Sequence, residues 1–286
     1  HLSRRPPEQQ RVAQVRRREN PDPAVVPSPR LVVALHGKGG SVGDASFLGL
    51  FDQVSRLGVA VAAVDCGGTY FHARRDGSDV GAMVIDDLLP VLRTQGVSPA
   101  PVGLLGWSMG GFIAQEIALT YPDIVDHLVL IATSMGGERS RELGQPFWEK
   151  VGPAIAGKPA EEVYRTDLTM MTAPGFAQEH KDIFEQAVQL RMRQPQPLWA
   201  FLRQLAACQA FDISSRVQEI AQPVMIIAGK DDPVTPFPLS LDILEKLPGA
   251  KMISYENCGH AILLEKAGEL TRDIRAFLLN GAAGGV

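Results

Sequence analysis

The hexapeptide Gly106-Trp107-Ser108-Met109-Gly110-Gly111 limits the folds open to this chain more than any other stretch of it. It follows an apolar run, Val102 to Leu105, and opens a segment with helical periodicity, Phe112 to Tyr121, so the local order is strand, tight turn, helix. A serine at the point of such a turn is held in a strained backbone conformation, and glycines two before and two after it let strand and helix pack closely. The hydroxyl then projects alone above a sheet. The helix starting at Met109 aims its free N–H groups and the positive end of its dipole at the same spot, which favours an oxyanion forming there. The same spacing also occurs in purely structural glycine turns, so the rest of the chain has to decide its meaning.

Leu31 to Leu35 is a continuous aliphatic run, as expected of a strand buried on both faces of a parallel sheet. It ends in His36-Gly37-Lys38-Gly39-Gly40-Ser41, where glycines let the backbone turn back and aim a main-chain N–H at a carbonyl oxygen. A phosphate-binding loop is the competing reading. The spacing is not G-x-G-x-x-G and no G-K-[ST] follows, which favours the oxyanion role. His36 reads as a structural histidine rather than a base. A helix over 45–57 and a strand over 59–64 then set a βαβ rhythm. The polar, aromatic loop 65–79 reads as surface or as the rim of a substrate entrance, and 80–92 reads as a helix with Asp86 and Asp87 on its solvated face.

Val125 to Ala132 is the next buried strand, and its end, Thr133-Ser134, carries no carboxylate. From Glu138 to Ala210 the rhythm stops. This segment reads as several short helices broken by Pro146, Pro153, Pro159, Pro174, Pro195 and Pro197. Large apolar residues recur in it, including Phe147, Trp148, Tyr164, Phe176, Phe184 and Trp199, and suit a helical cap over a hydrophobic pocket, although most of them individually read as packing. The rhythm resumes with a strand over 223–228, followed by Gly229-Lys230-Asp231-Asp232-Pro233. A carboxylate at a strand end can accept a hydrogen bond from an imidazole and fix its tautomer, and Asp232 is the choice over Asp231. A last strand, Lys251 to Tyr255, leads into Asn257-Cys258-Gly259-His260, and one helix from Ala261 to Leu279 is expected to close the domain. Of six histidines, only His260 has the order and setting of a base for Ser108.

Composition excludes several alternatives. A net charge of −4 gives no basic surface for nucleic acid, and the short runs Arg4-Arg5 and Arg16-Arg17-Arg18 read as solvated surface. No apolar run approaches a membrane span, and no signal-peptide core is present, so a soluble, cytoplasmic protein is expected. The chain opens on His1 rather than a methionine, as expected of a trimmed start or a tag remnant. Cys66, Cys208 and Cys258 are too few and too scattered for a disulfide framework or a zinc site, and Cys258 reads as a buried, inert thiol.

From Leu31 to Leu279 the chain resembles the α/β-hydrolase superfamily. The resemblance is carried by His36-Gly37-Lys38-Gly39-Gly40, by the hexapeptide around Ser108, by Gly229-Lys230-Asp231-Asp232-Pro233-Val234-Thr235-Pro236 and by Gly259-His260. Residues 31–111, with Tyr70, His72, Arg74, Asp76-Gly77 and Asp79, look like capless actinobacterial esterases of the esterase D kind. From Phe112 onward the chain looks like capped carboxylesterase and enol-lactonase relatives. The resemblance implies a mostly parallel central sheet flanked by helices. The chain itself divides into an N-terminal extension with an edge strand over 1–30, a core of 31–137 and 211–286, and a helical cap over 138–210, the N-terminus departing from the family pattern in being too short and too charged for the usual first two strands. The resemblance further implies a serine esterase in which Ser108, His260 and Asp232 form the triad and the N–H groups of Lys38 and Met109 form the oxyanion hole. No metal or organic cofactor is then needed. The expected partner is a small-molecule ester, with neither nucleic acid nor membrane involved, and a homodimer is left open. A lactonase, thioesterase or acyltransferase would use the same triad. A cofactor-free lyase or haloperoxidase-like enzyme and a non-catalytic receptor are the readings from other classes.

Overall fold

The structure, a computed structural model, describes residues 13–16, 31–36, 60–64, 102–193 and 198–280. Seven strands form one sheet: β1 (Ala13–Arg16), β2 (Leu31–Leu35), β3 (Ala60–Val64), β4 (Val102–Trp107), β5 (Val125–Ile131), β6 (Val224–Gly229) and β7 (Lys251–Tyr255). Their spatial order is β1-β3-β2-β4-β5-β6-β7. β1 runs antiparallel to β3 at one edge, and the remaining pairs are parallel. The fold is thus the expected α/β one. The aliphatic runs that form the central strands have no solvent face. All six residues of β6 and the first five of β4 are buried, as a sheet covered on both sides requires.

Two apolar layers sandwich the sheet. One joins Val33, Leu35, Leu104, Leu128, Leu130 and Ile226 to helix α1 (Met109–Thr120) through Ala114, Ile117 and Ala118. The other joins Val32, Leu105, Val129, Ile131 and Ile227 to the C-terminal helices. Alternate strand residues point to opposite faces, which is why neighbouring residues such as Leu104 and Leu105 enter different layers.

Between β5 and β6 the chain leaves the sheet and forms five helices: α2 (Gly137–Ile155), α3 (Ala160–Met171), α4 (Phe176–Glu179), α5 (Lys181–Met192) and α6 (Leu198–Ala210). Pro146 and Pro153 do not break the first of these, contrary to the sequence reading; both lie inside α2. A helical proline strips the carbonyl four residues earlier of its partner, here Glu142 and Glu149. Both residues are exposed, so water can satisfy the freed carbonyls. Pro159 caps the start of α3. After β6 come α7 (Phe237–Lys246) and, after β7, α8 (Ile262–Glu265) and α9 (Ala267–Asn280). The single closing helix expected from Ala261 is therefore two, broken at Lys266, whose backbone leaves the helical region. The expected helices over 45–57 and 80–92 and the loop 65–79 lie outside the described residues.

Candidate active site

Ser108 lies between the end of β4 and the start of α1 with φ 55° and ψ −121°. A non-glycine residue held there costs about 1–3 kcal/mol, so its surroundings must hold it. They do so through both of its backbone groups: Ser108 N–H donates to the Ile131 carbonyl at 2.9 Å, and the Thr133 hydroxyl donates to the Ser108 carbonyl at 2.9 Å. The flanking glycines are required by contact. A Cβ at Gly106 would lie 2.3 Å from the Gly110 oxygen, and one at Gly110 would lie 2.1 Å from the Leu35 oxygen. Strand β2, the elbow and α1 therefore meet with no space for side chains at these two positions.

Asp232 follows the end of β6 and His260 the end of β7, the last two strands of the sheet, with β5 between β6 and the strand that carries Ser108. The His260 Nε2 lies 2.9 Å from the Ser108 Oγ, and its Nδ1 lies 2.8 Å from the Asp232 Oδ2. Both partners of the second contact are sequestered, with side-chain exposures of 3% for His260 and 1% for Asp232. The Asp232 carboxylate has all its remaining acceptor sites used. Its Oδ1 accepts the Val234 and Thr235 N–H groups at 2.8 and 2.9 Å, and its Oδ2 also accepts the Thr235 hydroxyl at 2.8 Å. A carboxylate so held cannot rotate away from the imidazole, and its charge favours the tautomer with hydrogen on Nδ1 and a free electron pair on Nε2 facing the serine. The arrangement is competent to take a proton from Ser108 Oγ and to carry the resulting imidazolium. Asp231, the rejected alternative, is exposed and uses its N–H on the Cys258 carbonyl at 2.9 Å.

Met109 is the first residue of α1 and is buried, so its N–H is one of the helix donors without a partner inside the helix. Lys38, the second expected oxyanion donor, lies outside the described residues. His36 is buried at the end of β2, and its carbonyl abuts Gly110. Cys258 is fully buried, and burial raises its thiol pKa, so it is held as the inert thiol. Among the described residues no cluster of His, Cys, Asp and Glu could hold a metal ion, and no helix is long and apolar enough to cross a membrane.

Three supporting residues escaped the sequence reading. Thr235 and Thr133 lie in quoted motifs but carry no residue-type signal for their roles. The third is Glu265, whose only clue is an acid directly after the apolar run Ile262-Leu263-Leu264. In addition, the Trp107 indole donates to the His260 carbonyl at 3.0 Å, tying the strand that carries the serine to the loop that carries the histidine.

Residues 27–267 match the family described as serine aminopeptidase, S33. The chain belongs to that family. Over 258 residues it is 30% identical to the 2-hydroxy-6-oxononadienedioate/2-hydroxy-6-oxononatrienedioate hydrolase of Burkholderia vietnamiensis, covering 86% of each chain. Over 228 residues it is 27% identical to the pimeloyl-acyl-carrier-protein methyl ester esterase of Aliivibrio fischeri, covering 76% of this chain and 82% of that one. Its fold is similar to that of the enol-lactonase from Burkholderia xenovorans, with a TM-score of 0.69 at 16% identity over 93% of this chain and 95% of the other. This S33-family chain is a hydrolase of the α/β-hydrolase superfamily, in keeping with the resemblance drawn from its motifs.

Proposed function

We propose that this chain is a carboxylic ester hydrolase for short to medium acyl groups, with Ser108 as nucleophile, His260 as general base and acid, and Asp232 as the group that orients it. The observation that carries the reading is the continuous hydrogen-bonded line from Ser108 Oγ through His260 to Asp232. Ser108 Oγ attacks the ester carbonyl as its proton passes to His260 Nε2. The carbonyl oxygen takes the negative charge beside the Met109 N–H, with Lys38 N–H as the second donor. The C–O bond to the alcohol breaks, and the alcohol leaves with the proton from Nε2. Water then gives a proton to Nε2, attacks the acyl-Ser108 carbonyl and releases the acid, returning the proton to Ser108. The helical insertion serves as the cap that bounds the acyl group.

The test is turnover of p-nitrophenyl esters from acetate to palmitate by wild type and Ser108→Ala. Wild type is expected to prefer the shorter chains, and the variant to lose about 10⁴- to 10⁶-fold in kcat with its fold intact. Turnover unchanged in Ser108→Ala would overturn the reading. One alternative has a specific observation behind it. The 30% identity to the Burkholderia vietnamiensis protein favours including 2-hydroxy-6-oxononadienedioate and 2-hydroxy-6-oxononatrienedioate, the compounds its name gives, in the panel. Faster turnover of these than of any ester would move the assignment to that reaction on the same three residues.

A further inference from the structure

His260 has to be held by its own loop, and the neighbours of that loop come from the insertion as well as from the sheet. The His260 N–H donates to the Met171 carbonyl, at the end of α3, at 2.7 Å. Gly259 faces the same turn so closely that a Cβ there would lie 2.3 Å from the Met171 oxygen and 2.8 Å from the Thr172 carbonyl carbon. Ala261, the next residue, is buried in a cluster with Leu168, Phe184, Ala187 and Val188, all insertion residues, while Cys258, Ile262 and Leu263 belong to the layer beneath the sheet. The segment 258–263 is therefore where the two cores join, with His260 at the seam.

Glu265 closes this seam. Its carboxylate oxygens accept the Gly259 N–H at 3.1 and 3.0 Å, and one of them accepts the Ala173 N–H at 2.7 Å. One carboxylate thus bridges the histidine loop and the residue two past the end of α3. We infer that Glu265 is a positioning residue whose carboxylate fastens the His260 loop to the insertion, so that the base and the cap keep one fixed relation. The inference rests on His260 acting as the base for Ser108. The bridge is not the cheapest way to fill the space. Burial raises the Glu265 carboxyl pKa and Asp232 adds to this, against the Ala173 and Gly259 N–H groups and Lys266, which pull it down. Its bridge to these two amides is what a leucine of similar size would not supply. With the bridge in place, the Gly259 N–H and the His260 N–H and carbonyl all have partners, on Glu265, Met171 and Trp107.

The experiment compares Glu265→Leu, Glu265→Asp and Glu265→Gln, reading kcat and KM separately together with the rate of Ser108 labelling by a fluorophosphonate. Leucine fills the volume with no acceptor, aspartate keeps the charge without the reach, and a glutamine oxygen can still accept both amides. Glu265→Leu is expected to lower kcat and the labelling rate in parallel by about ten- to hundredfold, the scale of a small misplacement of a reacting group, with KM near wild type. Glu265→Asp is expected to fall between these, and Glu265→Gln to recover most of the loss. Wild-type kcat in folded Glu265→Leu or Glu265→Asp, whatever the change in Tm, overturns the inference. Amide exchange of the wild-type protein decides the matter even where a variant does not fold. Segments 171–174 and 258–261 are expected to open together, and independent opening overturns the bridge. Retained turnover in Ser108→Ala is a separate failure, of the mechanism and not of the clamp.

Discussion

The ends of the central strands and the helical insertion are built on opposite terms. At the strand ends nothing can move: β6 is buried throughout, Ser108 is pinned through both backbone groups, and Gly106 and Gly110 admit no side chain. In the insertion, α3 buries only Leu168 of its residues, and Trp199 and Leu202 of α6 are each 52% exposed. Of the residues assigned to the chemistry, Ser108 and Asp232 sit on the rigid side and His260 lies at the seam. The loose side meets them at the histidine loop, through Met171, Ala173 and Glu265. On the proposed mechanism the geometry of bond-breaking depends on the insertion only through that one seam.

The contrast yields substitutions of graded effect. The largest expected after loss of the serine itself is Asp232→Asn. The amide no longer favours the Nδ1–H tautomer, and kcat should fall by about 10⁴-fold with Tm changed far less than the activity. Stopped assays with the ester panel and a thermal melt check this, and a loss of activity explained by unfolding alone would remove Asp232 from the chemistry. Next is Phe184→Ala in the small insertion cluster, expected to cost about 3 kcal/mol of stability by opening a cavity. Its folded fraction should keep the wild-type kcat for the smallest ester while losing discrimination among longer ones. A drop in kcat for every substrate would show that the insertion is not separate from the chemistry. The smallest effect belongs to Trp199→Ser, in which a half-exposed ring held over by Arg203 is removed. Stability should change by less than about 0.5 kcal/mol and activity should not change, as measured by denaturant unfolding and the same assay.

Legibility in the sequence follows the same division. The turn at Ser108 and strands β4 to β6 could be read because each rests on local signals, glycine spacing and uninterrupted aliphatic runs. The insertion could be recognised as helical, but not subdivided. Pro146 and Pro153 carry a helix-breaking signal, yet both lie inside α2, where the residues four earlier, Glu142 and Glu149, are exposed, and that exposure is a tertiary property. The break at Lys266 was hidden for a similar reason. Periodicity from Ala261 onward favours one helix, and the chain departs from it where Glu265 turns back to amides 6 and 92 residues away in sequence. Glu265 carries no sequence signal for its position, because its partners at Gly259 and Ala173 are backbone amides.

The central claim is that Ser108 is an activated nucleophile, and covalent labelling tests it most directly. The wild-type protein is treated with a fluorophosphonate, its mass measured intact, and the adduct mapped by peptide sequencing beside His260→Ala. One adduct per chain, on Ser108 and nearly absent in His260→Ala, is the expected result. An unlabelled Ser108, or labelling at the same rate without His260, would contradict it.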